Sequence, residues 1–256
     1  MSFKIEASCG CFIGTERDNN EDNFFFNQKH LSKINRGLNE PVYYNCSSEN
    51  AQVFAVFDGI GGEAAGETAA YIASEVFADE AHKLDSLLIT GKEFFTNVCF
   101  KINSAICDYS SRHQCIKTGS TIAAFFVFQN EIFSCNIGDS KIFRIRCDKL
   151  MQISKDHTDE QILKDMCISK KPSLLQYLGI SENEMQIEPF ITRGEMQSGD
   201  IYIACSDGIT DSINVQELYN ICSEENSSFN ITDKIIDCAK RAGACDNSTL
   251  VTLKIV

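Results

Sequence analysis

The chain has 256 residues, 43% of them apolar and only three of them proline, a composition that suits one compact fold with a substantial core rather than modules on linkers. A formal charge of -13 argues against nucleic acid or an anionic membrane as the main partner, since either needs a basic stripe to displace counterions. The N-terminal MSFKIEASCGCFIG lacks the uninterrupted apolar core of a signal peptide, and no later run reaches the length of a membrane span, so a cytoplasmic protein is expected.

The thirteen cysteines are odd in number, irregular in spacing and without a C-x-x-C pair. Cys9 and Cys11 sit in an apolar run, and Cys135, Cys205 and Cys238 stand among apolar residues, as small core hydrophobes of a reducing compartment do. An N-x-S/T sequon at Asn247 is then expected to be a coincidence rather than a glycosylation site.

In chain order, FKIEASC, DNFFFN and AQVFAVF read as strands, with a polar loop from about Gln28 to Asn50 before the third. The third strand is expected to stop at Asp58, where glycines 59, 61 and 62 make a turn. Ala65, Ala69, Ile72 and Val76 then recur at helical spacing, and Phe94, Val98, Ile102, Ala105 and Tyr109 do so in a second helix. From Gly119 to Ser154, β-branched and aromatic runs are punctuated by Gln129-Asn130, Gly138-Asp139-Ser140 and Asp148-Lys149, which predicts an antiparallel meander. A mixed, partly helical stretch from His157 to Gly179 precedes strands at MQIEPFI and DIYIACSDG. Helices near Val215 to Cys222 and Thr232 to Ala242 follow, and STLVTLKIV closes the chain as a strand.

This segregated order of strands and helix pairs is not regular β-α-β alternation. It predicts an α+β fold with four αββα layers, two antiparallel sheets flanked by helix pairs.

Several strands end in carboxylates: Asp58 after VFAVF, Asp139 after SCNIG, and Asp207 after IYIACS. Asp246 stands just before the last strand, and Arg17, Glu21 and Asp22 gather in RDNNED. Singly these are turn residues, Asp-Gly being a common turn dipeptide. As a set they would repel one another at the end of a sandwich, and hard cations relieve that repulsion. With no histidine near these motifs, an all-oxygen set points to Mg2+ or Mn2+ rather than zinc or copper. Two such ions about 3.5 to 4 Å apart can share a carboxylate and activate a water, and an arginine fork matches two phosphate oxygens. The implied chemistry is phosphate ester hydrolysis.

With these residues the chain resembles the metal-dependent serine/threonine phosphatases of the protein phosphatase 2C type. The motifs occur in order as RDNNED at 17–22, VFDGIGG at 56–62, TGST at 118–121, IGDSK at 137–141, DHT at 156–158, CSDGITD at 205–211 and DNST at 246–249. The resemblance implies a single catalytic domain over residues 1–256, with a short flap near 156–181. It implies that Asp58 bridges two metals, that the Gly59 carbonyl and Glu21 serve one of them, and that Asp207 and Asp246 serve the other. Asp22 would support bound waters, Arg17 would bind the substrate phosphate, and Asp139 with Asp207 would hold a third, weaker ion.

Ile60 stands where many eukaryotic members carry histidine, a departure that suits a bacterial-type, stand-alone member. Metal-bound water rather than the loop residue His157 is then expected to protonate the leaving group. Lys141 replaces the usual arginine of G-D-S-R. The implied activity is hydrolysis of phosphoserine and phosphothreonine in proteins by a dimetal-activated water, without a covalent intermediate. The expected partners are phosphoprotein targets of a serine/threonine kinase, and the expected state is a monomer. Two alternatives stand beside this reading: a pseudophosphatase acting as a binding module, and a phosphatase of small phosphorylated metabolites.

Overall fold

A computed structural model describes residues 2–61, 65–84, 90–115 and 118–256. One sheet has the strand order β3-β1-β12-β11-β8-β9, built from β1 (Lys4–Phe12), β3 (Val42–Ser47), β8 (Lys141–Arg146), β9 (Lys149–Gln152), β11 (Ile201–Cys205) and β12 (Ser248–Ile255). The other has the order β10-β7-β6-β4-β2, from β2 (Asp22–Phe25), β4 (Gln52–Ile60), β6 (Ile122–Phe128), β7 (Glu131–Ile137) and β10 (Phe190–Glu195), with the short β5 (Gly119–Ser120) paired to the end of β4. Every pairing among these strands is antiparallel.

Period-two alternation sorts the side chains into layers. In β4, Phe54 and Val56 point between the sheets, where they join Phe24, Phe125, Tyr202 and Val251. Val53, Ala55 and Phe57 point the other way, onto helices α1 (Gly66–Ala81) and α2 (Gly91–His113). Phe125 and Tyr202 meet edge to face across the sheets, their centroids 6.0 Å apart. On the far face of the first sheet, Ile203, Cys205 and Leu250 pack on α4 (Asp207–Ser212), α5 (Val215–Glu224) and α6 (Ser228–Arg241). The result is the four-layer α+β sandwich that the sequence predicts.

All thirteen cysteines are free thiols, and Cys9, Cys11, Cys99, Cys135, Cys205 and Cys222 are buried in these layers, while Cys238 is half-buried. Helix α2 begins in a capping box, with Thr90 and Glu93 satisfying each other's backbone N–H groups.

Five local expectations are corrected. Strand β4 runs on through Asp58 to Ile60, because Gly59 and Ile60 find ladder partners in Ser120 and Gly119. The supposed loop 28–50 contains β3, an exposed edge strand whose polar residues pair with β1 and so mask its register in the sequence. Gly138-Asp139-Ser140 is not a hairpin. It carries the chain from β7 in one sheet to β8 in the other, with Gly138 at φ +100° making the change of direction. The strand read at 185–191 begins only at Phe190, where the edge of β7 becomes available. A short helix, α4, follows Ser206 where a turn is expected. In the stretch 157–179, α3 (Glu160–Asp165) is the only helix. Gly62, counted in the glycine turn, lies outside the described residues.

Phe77 of α1 is fully buried, and its ring meets Phe25, Phe57 and Phe94 at centroid distances of 5.3, 5.6 and 5.5 Å. Phe77→Ala should therefore destabilise the fold by about 3–5 kcal/mol, read as a lower urea midpoint at unchanged slope.

Candidate active site

Strand register brings the carboxylates to one end of the sandwich. Antiparallel pairing of β2 with β4 sets Asp22 directly opposite Asp58. In the other sheet Cys205 pairs with Leu250 and with Lys141, and Phe12 pairs with Ser248. The end of β11, the start of β12, the start of β8 and the end of β1 therefore share one edge. Asp207, Asp246, Asp139 and the 17–22 segment all project from that edge.

Hydroxyls and one amide fix the frame. The Asp58 N–H donates to Thr121 Oγ1 at 3.1 Å, the Thr121 N–H returns a bond to the Asp58 carbonyl at 2.8 Å, and the Thr121 and Ser140 hydroxyls are 2.6 Å apart. Ser206 donates to Asp22 Oδ2 at 2.8 Å instead of capping α4. Asn247, 4% exposed, accepts from the Glu21 N–H at 2.7 Å and donates to the carbonyls of Ile13 and Asn19.

Glycines make the close approaches. A Cβ on Gly59 would lie 2.1 Å from the Gly66 carbonyl oxygen and 2.6 Å from that of Glu21. A Cβ on Gly66 would lie 2.7 Å from the Glu21 carboxyl carbon. The Gly59 N–H donates to the Glu21 carbonyl at 3.0 Å, so Glu21, Gly59 and the start of α1 form one tight corner.

The charges repel. Burial, and then Asp22, Asp207, Asp139 and Asp246, hold the Asp58 carboxyl well above the usual carboxylate range. Asp22 is pushed up to about 7, chiefly by burial, and Asp207 to about 6 by burial and Asp139. Burial also raises Asp139. Each shift says that the ionised form is short of positive charge.

Two cations reach in. Arg17 Nη2 donates to Asp246 Oδ2 at 2.8 Å, with about half of the arginine side chain exposed. Lys171, from the flap, lies 3.7 Å from Asp207 and 3.2 Å from Asp211. Neither Lys171 nor Asp211 is singled out by the sequence. Asp211 is the last residue of CSDGITD, whereas Lys171 belongs to no motif and is brought in by tertiary placement alone.

The structure thus draws Asp22, Asp58, Asp139, Asp207 and Asp246 into one electrostatic cluster, while Glu21 sits to one side against Gly66. Asp139, Asp207 and Asp211 line a cavity of about 550 Å³ with Lys141, Asp156 and Lys171. Lys141 bonds Asp156 at 2.7 Å and so retains an ion pair in place of the arginine. His157 Nδ1 accepts the Gly138 N–H at 3.1 Å, and burial lowers its pKa.

Among the described residues, no three His, Cys, Asp or Glu side chains close around a common point tightly enough to enclose an ion as they stand. The donor set nonetheless fits hard divalent ions in kind: all oxygen, partly buried and mutually repelling.

The sequence profile of the family described as Protein phosphatase 2C matches residues 39–245, and the chain belongs to that family. It is similar to the serine/threonine phosphatase stp of Listeria monocytogenes, 26% identical over 239 residues, covering 88% of this chain and 91% of that protein. The crystal structure of the catalytic domain of the serine threonine protein phosphatase PstP, in complex with 2 manganese ions, superposes with TM-score 0.77 at 25% identity over 99% of each chain. PppA of Pseudomonas aeruginosa shares the fold with TM-score 0.81 at 19% identity over 100% of each chain.

The two glycines should respond differently to a methyl group. Gly59→Ala sets Cβ against backbone and should cost about 1–3 kcal/mol or more in a urea titration. Gly66→Ala meets only the end of the Glu21 side chain, which can turn away, and its loss of stability should be smaller.

Proposed function

We propose that the chain hydrolyses phosphoserine and phosphothreonine esters in proteins, as a single catalytic domain over residues 1–256 using two Mn2+ or Mg2+ ions. The observation that carries this reading is the confinement of Asp58, Asp207 and Asp246 at one end of the sandwich with Arg17 beside them. The serine/threonine specificity is supported by the printed names of the relatives, and the metal by the manganese-bound PstP domain.

When bound, such ions supply Lewis acidity toward the phosphoryl oxygens and activate water for attack. Asp58, near the end of β4, would serve both ions. The Gly59 carbonyl and Glu21 would be the donors on the α1 side, and Asp207 and Asp246 those on the β11–β12 side. Asp22, held by Ser206, would accept hydrogen bonds from water at such a site. Asp139, which lines the same cavity as Lys171, would hold a third and weaker ion with Asp207.

Arg17 stands at the rim, where its half-exposed guanidinium presents a fork to the substrate phosphate. The leaving serine or threonine oxygen takes its proton from water. Ile60 carries no proton to give, and burial lowers the His157 pKa, which disfavours the imidazolium that would serve as an acid. No aspartate or cysteine attack on phosphorus is needed, so no phosphoenzyme forms.

Turnover of an aryl phosphate and of a phosphothreonine peptide should require Mn2+ or Mg2+, vanish with EDTA, and fall by at least about 100-fold in Asp207→Asn, as loss of charge at a metal ligand implies. Equal rates under all these conditions would refute the reading. Higher turnover on sugar phosphates than on phosphopeptides would move the substrate to a metabolite.

Arg17→Lys keeps a charge but not the fork. It should lower kcat/KM on the phosphopeptide by about 10- to 100-fold, in line with loss of a charged hydrogen bond, and leave the urea midpoint nearly unchanged because the side chain is half exposed.

A further inference from the structure

One buried carboxylate has no part in the chemistry above. Glu67, the second residue of α1, is only 8% exposed, and its Oε2 is sealed from solvent with no hydrogen-bond donor among the described residues. A first-turn glutamate has an ordinary explanation in the positive end of the helix dipole, and Ala65 supplies no side-chain cap to compete with it. That explanation leaves the sealed oxygen unsatisfied, and buried carboxylate oxygens are rarely left so.

The neighbour of Glu67 is another carboxylate. Glu21 lies against Gly66, one residue before Glu67, close enough that a Cβ on Gly66 would meet its carboxyl group. Its carboxyl pKa is raised by burial and then by Glu67. Gly66 in turn packs on Gly59, so the helix start, Glu21 and Gly59 move as one rigid corner. Arg17 offsets the Glu21 charge, and its guanidinium is bonded to Asp246. Two carboxylates at the same helix start, one with an orphaned oxygen, are stable together when a cation and its water supply the missing donors.

We infer that Glu67 is a positioning residue for the divalent ion on the Glu21 and Gly59 side, its Oε2 accepting a hydrogen bond from water held by that ion. Outer carboxylates of this kind orient the direct ligands and raise affinity without touching the metal. The inference rests on the reading that Glu21 and Gly59 face a divalent ion.

The test is calorimetric titration of Mn2+ into the wild-type protein, Glu67→Gln and Glu67→Ala, with urea denaturation of each in EDTA. Glu67→Ala should weaken one class of Mn2+ sites by about 10- to 100-fold and leave the other unchanged. Glu67→Gln, isosteric and still able to accept a bond through its amide oxygen, should fall between, and it carries the test if the alanine variant does not fold. In EDTA both variants should be as stable as the wild type or more so, because neither buries the unpartnered carboxylate oxygen.

Unchanged Mn2+ affinity in both variants, with lower stability in EDTA, would make Glu67 a structural first-turn residue and overturn the inference alone. A wild-type protein that takes up no Mn2+ would overturn this inference and the proposed function together.

Discussion

Mutual repulsion among Asp22, Asp58, Asp139 and Asp207 is the interaction against which the rest of the fold is arranged. Left to itself it would splay the end of the sandwich, since burial weakens the water screening that exposed carboxylates enjoy. What resists it is covalent and hydrogen-bonded: paired strands, each continuous with a packed core, whose ends cannot separate without breaking ladders. The core between the sheets, with Phe54, Phe125, Tyr202 and Val251 interlocked, anchors both sheets at once. Stability made in the middle of the molecule is thus used to hold an electrostatically unfavourable edge.

Small polar residues convert that rigidity into geometry. Thr121 and Ser140 bind the two sheets together beside Asp58, Ser206 holds Asp22, and Asn247 fastens the 17–22 segment to the start of β12. Gly59 lets backbone meet backbone, and Gly66 leaves room for the Glu21 carboxyl group. On the open side the constraint is looser. The flap reaches the cluster mainly through Lys171, an exposed residue paired with Asp207 and Asp211. A surface pair of this kind contributes little to stability and exchanges partners readily.

Much of this was legible in the chain itself. Apolar periodicity located α1, α2, α5, α6 and the central strands, because a buried stripe or face leaves a repeat in the sequence. The carboxylates at strand ends were legible because Asp58, Asp139, Asp207 and Asp246 follow or precede unmistakable strands. Edge strand β3 was not, since its polar, exposed residues carry no alternation, and the crossing at Gly138 was not, since a sheet-to-sheet connection and a hairpin use the same turn residues. Glu67 reads as a helix-start glutamate like any other. Only its burial beside Glu21 sets it apart.

By itself, the sequence determined which residues are apolar and at what period, and hence the four layers, together with the identity and order of the oxygen donors. These follow from local pattern, which needs no knowledge of distant contacts. Tertiary structure alone decided that Asp22 faces Asp58, that Glu67 backs Glu21, that Lys171 reaches Asp207 and that Arg17 pairs with Asp246. Those pairings join residues far apart in the chain, and their energies depend on burial and separation, which exist only once strand register has been set by packing of the whole core.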